Sequence, residues 1–201
     1  MLKDARLNRF RSTLWLLVLL AFPFAAEAQD VALGLDPTPS GLYQSFRVLK
    51  PNPVPRETTA AAARTSTGID LSPWLPEPGY QGNLGSCVTW AVGYAVRSYQ
   101  ENIERGWGAD DESRIFSPSF LYNQVARGRN VGTSFQASFA ILMEDGIATW
   151  RTMPYTTNLR VRPSPEAFQE AAQYRAKSFE RVNVSVPDIK LMLDQGRCVL
   201  F

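Results

Sequence analysis

The sequence predicts an α+β fold in which helices come first and strands come late. Apolar residues recur at helical spacing over 88–103, and Ser-Pro pairs at 117–118 and 164–165 have the form of helix N-termini. A loose two-residue alternation begins only at Phe179. Because helices and strands do not alternate along the chain, a parallel βαβ sheet is not expected.

The first helix should begin near Cys87 and end by Gly106. A second should run from Ser117-Pro118 toward Gly128, because a serine N-cap followed by proline favours a helix start.

Thr133 or Ser134 can cap a third helix, which Gly146 should stop. Its predicted inner side consists of four apolar residues: Phe135, Phe139, Leu142 and Met143.

The last third of the chain carries four further predicted elements. Ser164-Pro165 should open a helix that extends to about Arg175, and residues 179–186 should form a strand. A short helix over 187–195 should stop at Gly196, and residues 198–201 should begin another strand.

The N-terminal residues 1–28 are interpreted as a signal peptide. A basic start precedes the apolar run 14–21, and Ala26-Glu27-Ala28 has the small residues of a cleavage site. The alternative is an uncleaved membrane anchor, but Pro23 and Glu27 keep the apolar run well short of the roughly 20 residues that span a bilayer. We therefore expect a secreted or periplasmic protein.

Composition divides the remaining chain at about residue 68. Residues 29–68 are rich in Pro, Thr and Ala and are predicted to be an extended linker or short pro-region, and residues 69–201 the folded domain. Removing the signal peptide takes four basic and two acidic residues and brings the formal charge from +2 to zero. A neutral chain without a basic stripe gives no reason to expect nucleic acid or, after signal cleavage, a membrane as partner.

The chemistry that the sequence indicates centres on Cys87, in the first turn of the first helix. The positive end of a helix dipole and its unpaired N–H groups favour thiolate over thiol, and thiolate is the nucleophile. Gln81 lies on the turn before the helix, where its amide and the Cys87 N–H can converge on an oxyanion. Gly82 and Gly85 permit the close main-chain approach that such a loop needs.

The stretch 81–91 resembles the active-site segment of papain-like cysteine peptidases of a divergent bacterial branch. It departs from the family at Leu84, where many members have a disulfide cysteine, and at Val88, where an aromatic residue is usual. Gly146-Ile147 and Pro154-Tyr155 are similar to the segment after the family's third helix.

The resemblance implies a papain-like fold over about 70–201, with the helical half complete and the β-rich half only begun. It also implies catalytic roles for Cys87 and Gln81 and a peptide or protein substrate. Substrate-binding positions carried over from the family are Gly132, Thr133, which replaces a glycine, and Val199 near the wall of a side-chain pocket.

Papain-like enzymes also use a histidine and an asparagine, with the histidine roughly 130–150 residues after the cysteine. This sequence contains no histidine, and fewer residues than that follow Cys87. We therefore expect an incomplete chain that is inactive and poorly folded by itself.

Several alternatives remain open at this point. Cys87 can be a structural thiol or pair with Cys198, and the protein can be a non-catalytic peptide-binding or regulatory module, or an amidase or transferase that acts through the same thioester. The acidic run 110–112 lacks metal-ligand spacing and is interpreted as a solvated loop, so no metal and no cofactor are expected. The sequence indicates no oligomeric state.

Overall fold

The computed structural model describes residues 34–49 and 68–201, which belong to one compact unit. A short helix α1 (Ser40–Ser45) and a 3₁₀ turn (Ser72–Trp74) precede the main helical region. Five longer helical elements follow: α2, which runs as α-helix over Cys87–Thr89, π-helix over Trp90–Arg97 and α-helix over Ser98–Arg105, then α3 (Pro118–Ala126), α4 (Phe135–Glu144), α5 (Pro165–Ala171, extended by a 3₁₀ turn Ala172–Tyr174) and α6 (Val186–Asp194).

The helices begin and end where local signals predicted. The hydroxyls of Ser117, Ser134 and Ser164 each accept a hydrogen bond at 3.2 Å from the backbone N–H three residues on, so Ser134 caps α4 and Thr133 does not. Gly106 follows α2 with φ +65° and Gly146 follows α4 with φ +86°, the left-handed conformation that stops helices.

The core lies between α2, α3, α4 and α5. Phe116, Phe120, Leu121 and Ile147 are fully buried in it. Of the predicted inner residues of α4, Leu142 is buried in the core, Phe135 and Phe139 pack against it, and Met143, which is half-buried, is not part of it. The helical order of the sequence analysis is therefore confirmed.

The two predicted strands are wrong. In the described part of the chain, strand-type backbone pairing is limited to three isolated bridges, and residues 198–201 take part in none of them. Within 179–186, Arg181 forms a single bridge with Val48, and among the described residues the pairing does not extend into a ladder. The β-rich half stays a prediction.

The segment predicted as an extended linker is more ordered than expected over 34–49. It contains α1 and contacts the domain at both ends, through bridges between Leu35 and Thr133 and between Val48 and Arg181. The predicted signal peptide lies outside the described residues. In those that are described, no helix is long and apolar enough to cross a membrane.

Candidate active site

Cys87 is the first residue of α2, as predicted, and its side chain is half-buried at the edge of the core. The N-cap residue Ser86 does not cap the helix with its side chain, because its hydroxyl lies 2.9 Å from the Tyr155 hydroxyl. The N–H groups of the first turn therefore face the cysteine region without a side-chain cap, which favours negative charge there.

The Gln81 side chain is held within the loop that leads to the cysteine. Its Nε2 donates to the Leu84 carbonyl at 2.8 Å, and the main-chain carbonyl of Gln81 accepts from the Tyr155 hydroxyl at 2.8 Å. A primary amide has two N–H donors, so the bond to Leu84 uses one of the two. The structure thus brings Gln81 and Cys87 into one loop, with the amide partly engaged by the loop itself.

Tyr155 connects this loop to an aromatic cluster beneath α2. Its ring packs against Trp90 with centroids 4.8 Å apart, and Tyr94 and Trp150 complete the cluster. A hydroxyl at the tip of a packed ring is a well-fixed hydrogen-bond partner, so Tyr155 sets the position of both Ser86 and Gln81.

Asn130, which sequence reasoning missed, holds the other side of the loop. Its Oδ1 accepts from the Gly85 N–H at 2.8 Å and from the Tyr122 hydroxyl at 2.9 Å, while its Nδ2 donates to the Asn83 carbonyl at 2.9 Å. The side chain thus bonds to the residues on both sides of Leu84. The residues that these two loop hydrogen bonds join are 45 and 47 positions apart in sequence, so no local signal indicates them.

Residues 34–36, which we call the cover segment, lie against the predicted nucleophile. Thr133 N–H donates to the Gly34 carbonyl at 2.9 Å and Asp36 N–H donates to the Thr133 carbonyl at 3.0 Å, so the two chains pair in parallel. Gly34 is buried, and a Cβ built on it would overlap Cys87 Sγ. A piece of the chain's own backbone therefore covers the thiol.

The two predicted substrate-binding residues of the Gly132-Thr133 pair both meet the cover segment. Thr133 contributes its backbone, and Gly132 lies under the Asp36 carboxylate, since a Cβ on Gly132 would be 2.6 Å from Asp36 Oδ1. Val199 is half-buried, and its neighbour Leu200 packs against the core. The role of Val199 stays a prediction.

The second cysteine, Cys198, is a separate thiol from Cys87. Both thiols are free, so the alternative of a disulfide between Cys87 and Cys198 is not what the structure holds. Burial raises the pKa of Cys198 to about 11, which keeps it protonated near neutral pH.

The acidic run carries no metal site in the part of the chain that the structure describes. Asp111 accepts from Ser113 and from Arg151, and these hydrogen bonds together with the nearby arginines lower its pKa. Asp110 lies 3.7 Å from Arg114. The carboxylates thus pair with neighbouring side chains.

Comparison with known proteins identifies the fold. No protein-family model matches the sequence, and no curated protein matches it. Among solved structures, the crystal structure of xylellain, a cysteine protease from Xylella fastidiosa, matches 81% of this chain with a TM-score of 0.57 at 20% identity. The chain spans 63% of the length of that protein. The described chain therefore has a fold distantly similar to that of a papain-like cysteine protease.

Proposed function

We propose that this protein is a cysteine peptidase in which Cys87 is the nucleophile. The observation that carries the proposal is the position of Cys87, at the start of α2 and beside a backbone edge, Thr133, that pairs with an extended peptide segment. The distant fold similarity to a cysteine protease supports it.

The proposed reaction uses the loop as follows. The Cys87 thiolate attacks the carbonyl carbon of a peptide bond, and the resulting oxyanion accepts from the Cys87 N–H and the Gln81 amide. The C–N bond then breaks, leaving a thioester that water hydrolyses. The leaving amine needs a proton from a general acid, a role that we assign to no residue among these 201, which include no histidine.

The test isolates the step that these residues perform. A peptide p-nitrophenyl ester acylates a thiolate without a general acid, because nitrophenolate leaves unprotonated. We expect one equivalent of nitrophenolate and a matching mass gain on Cys87, absent in Cys87→Ala and retained in Cys198→Ala. The assay is also run on Gly34→Ala, because Gly34 covers the thiol in the wild-type protein. Acylation that persists in Cys87→Ala, or that occurs in neither background, contradicts the proposal.

The second candidate is a non-catalytic peptide-binding or regulatory module. It is favoured by the same pairing of Thr133 with a peptide segment, which needs no chemistry at the thiol. A peptide that takes the place of the cover segment, detected as faster hydrogen exchange at the Asp36 amide, without acylating Cys87 in either background identifies this function.

We also propose that the protein is exported and cleaved after residue 28. The basic, apolar and small-residue order of the first 28 residues supports this. N-terminal sequencing of the protein from the medium or periplasm should begin at Gln29, and a mature protein that begins at Met1 contradicts it.

A further inference from the structure

We propose that a cleft between α3 and α4, which we call the arginine cleft, binds an acidic stretch of a peptide or protein. The cleft has a volume of about 420 Å³ and is lined by six residues: Gln124, Val125, Arg127, Arg129, Ala137 and Ile141. The proposal rests on the proposed function only in taking the bound peptide to be a substrate. Binding itself requires no chemistry at the Cys87 thiol.

The positive charge of the cleft comes from its two arginines. Arg127 and Arg129 are exposed, and in the part of the chain that the structure describes no carboxylate lines the cleft beside them. The ion pairs among the described residues include neither arginine. Two guanidinium groups that share a cleft repel each other, and an incoming carboxylate relieves that repulsion while it accepts their hydrogen bonds.

The backbone at the end of α3 places both arginines at the cleft. Arg127 is the C-cap residue of α3 and has φ +49°, the one positive φ of a non-glycine residue among those described. Gly128 follows with φ +84°, so the chain turns there and Arg129 lines the same cleft. A left-handed conformation is unfavourable for a residue with a Cβ, and such positions cluster at functional sites.

Arg162 adds a third positive group at the same end of α3. Its Nη1 donates to the Asn123 carbonyl at 2.7 Å, and the same carbonyl accepts from the Arg127 N–H at 3.3 Å. Asn123 is fully buried and its Nδ2 donates to the Val161 carbonyl at 2.9 Å, which fixes the loop that carries Arg162. The helix dipole contributes about half a negative charge at this end, which three full positive charges outweigh.

The lining of the cleft favours an acidic peptide over other anions. Val125, Ala137 and Ile141 form an apolar floor that a side chain next to an acidic residue can cover. A guanidinium group matches a carboxylate with two parallel hydrogen bonds. Single-stranded nucleic acid is held largely by stacking on aromatic side chains, and none of the six lining residues is aromatic. A lipid surface is too broad to enter a concave site, and the predicted mature chain has no net charge to attract one.

The arginine cleft is close in sequence to the peptide edge of the Cys87 site. Arg129 precedes Asn130, whose side chain bonds to the Cys87 loop, and Thr133 follows four residues after Arg129. Four extended residues span at most about 14 Å. A peptide paired with Thr133 therefore needs only about four further residues to bring a carboxylate to Arg129. The cleft thus selects peptides that carry an acidic residue outside the segment that reacts.

The first experiment measures binding by fluorescence anisotropy in the full chain carrying Cys87→Ala, so that no acylation occurs. The probe is a short fluorescein-labelled peptide of glutamate and leucine, and the matched peptide has glutamine in place of each glutamate. We expect the glutamate peptide to bind about tenfold more tightly, since charge-assisted hydrogen bonds add to the apolar contact that both peptides make. The difference should shrink as the salt concentration rises.

The second experiment locates the binding. Arg127→Gln/Arg129→Gln should weaken binding of the glutamate peptide about tenfold and leave the glutamine peptide unchanged. The matched control Lys177→Gln/Lys190→Gln removes the same two charges from exposed residues outside the cleft and should bind like the parent protein. Arg129→Gln alone leaves the C-cap residue Arg127 in place, so it tests the cleft if the double variant folds poorly. It should weaken binding about threefold.

Three results overturn the proposal. One is equal binding of the glutamate and glutamine peptides, including no detectable binding of either. Another is an equal loss in the cleft variants and the lysine control, which would assign the binding to net charge. The third is binding of anionic phospholipid vesicles or of an oligonucleotide through Arg127 and Arg129 by a protein that does not bind the glutamate peptide. Because binding is measured without the thiol, the cleft can fail while the peptidase proposal stands, and the reverse.

Discussion

The amide oxygen of Asn130 accepts a hydrogen bond of 2.8 Å from the Gly85 N–H, across 45 residues of sequence. This bond and the bond from Asn130 Nδ2 to the Asn83 carbonyl fix the loop on both sides of Leu84. Many papain-like peptidases have a disulfide cysteine at the Leu84 position, and here a side-chain amide connects that loop to the segment that leads to Thr133.

Asn130→Ala should lower the free energy of unfolding by about 1–2 kcal/mol, because it leaves the buried Gly85 N–H without its partner. Urea denaturation measures this. Asn183→Ala, at an exposed asparagine, is the control and should change stability by less than about 0.5 kcal/mol. If the two variants lose equal stability, the Asn130 bonds do not hold the loop.

Tyr155→Phe should lower the free energy of unfolding by about 1–2 kcal/mol, because the hydroxyl is hydrogen-bonded both to Ser86 and to the main-chain carbonyl of Gln81. The ring packing on Trp90 is retained in this variant, so the loss of stability measures the contribution of the hydroxyl alone. Thermal unfolding of Tyr155→Phe beside Tyr80→Phe, whose side chain is 83% exposed, gives the comparison. A Tm equal to that of the control would show that the hydroxyl does not fix the loop.

Gly146→Ala should lower the free energy of unfolding far more than Gly106→Ala, although both glycines have positive φ. A Cβ on Gly146 would overlap the Ala171 carbonyl, a backbone group that cannot rotate away, whereas a Cβ on Gly106 meets nothing within 4 Å. We expect a loss of about 1–2 kcal/mol for Gly106→Ala from strain alone. Gly146→Ala should lose about 3 kcal/mol more, or fail to fold. Chemical denaturation compares the two, and equal losses contradict the overlap.

Stability should fall as the pH rises through the range 9 to 11, in part because of Cys198. Burial raises its pKa in the folded protein from 9.0 to about 11, so between these values the unfolded chain releases the proton and the folded chain keeps it. Unfolding is then favoured by rising pH, and the contribution of this thiol reaches at most about 3 kcal/mol.

Cys198→Ala should reduce this alkaline loss, measured as the difference in unfolding free energy between pH 8 and about pH 11. Burial, with a smaller contribution from Cys198, raises the pKa of Tyr99 to about 12, so Tyr99 adds to the same loss, and the part of its shift that Cys198 causes disappears with the thiol. An identical alkaline loss in wild type and Cys198→Ala would show that the thiol is not desolvated in the folded state.

The helices were predictable because their signals are local. A serine hydroxyl at 117, 134 or 164 caps the helix that begins at the next residue, and the stop glycine lies within two residues of the helix end at Gly106 and Gly146. The strand prediction over 179–186 was wrong because an alternating pattern indicates only which face of a strand would be buried. A strand also needs a neighbouring strand to pair with, which the pattern does not provide.

The proximity of Gln81 and Cys87 was predictable for the same reason, because both lie within one short stretch of sequence. Their catalytic roles stay a prediction. The contacts of Asn130 with Gly85 and of Gly34 with Cys87 join distant parts of the chain. The residues around Gly34 in the sequence give no signal of this contact, because the contact is with the distant Cys87 Sγ.

The cover segment and the groove it occupies belong to one polypeptide. Their pairing is therefore intramolecular, and its extent stays the same when the protein is diluted. A separate inhibitor of equal intrinsic affinity would be lost on such dilution. Thr133 therefore stays paired with the cover segment at any protein concentration.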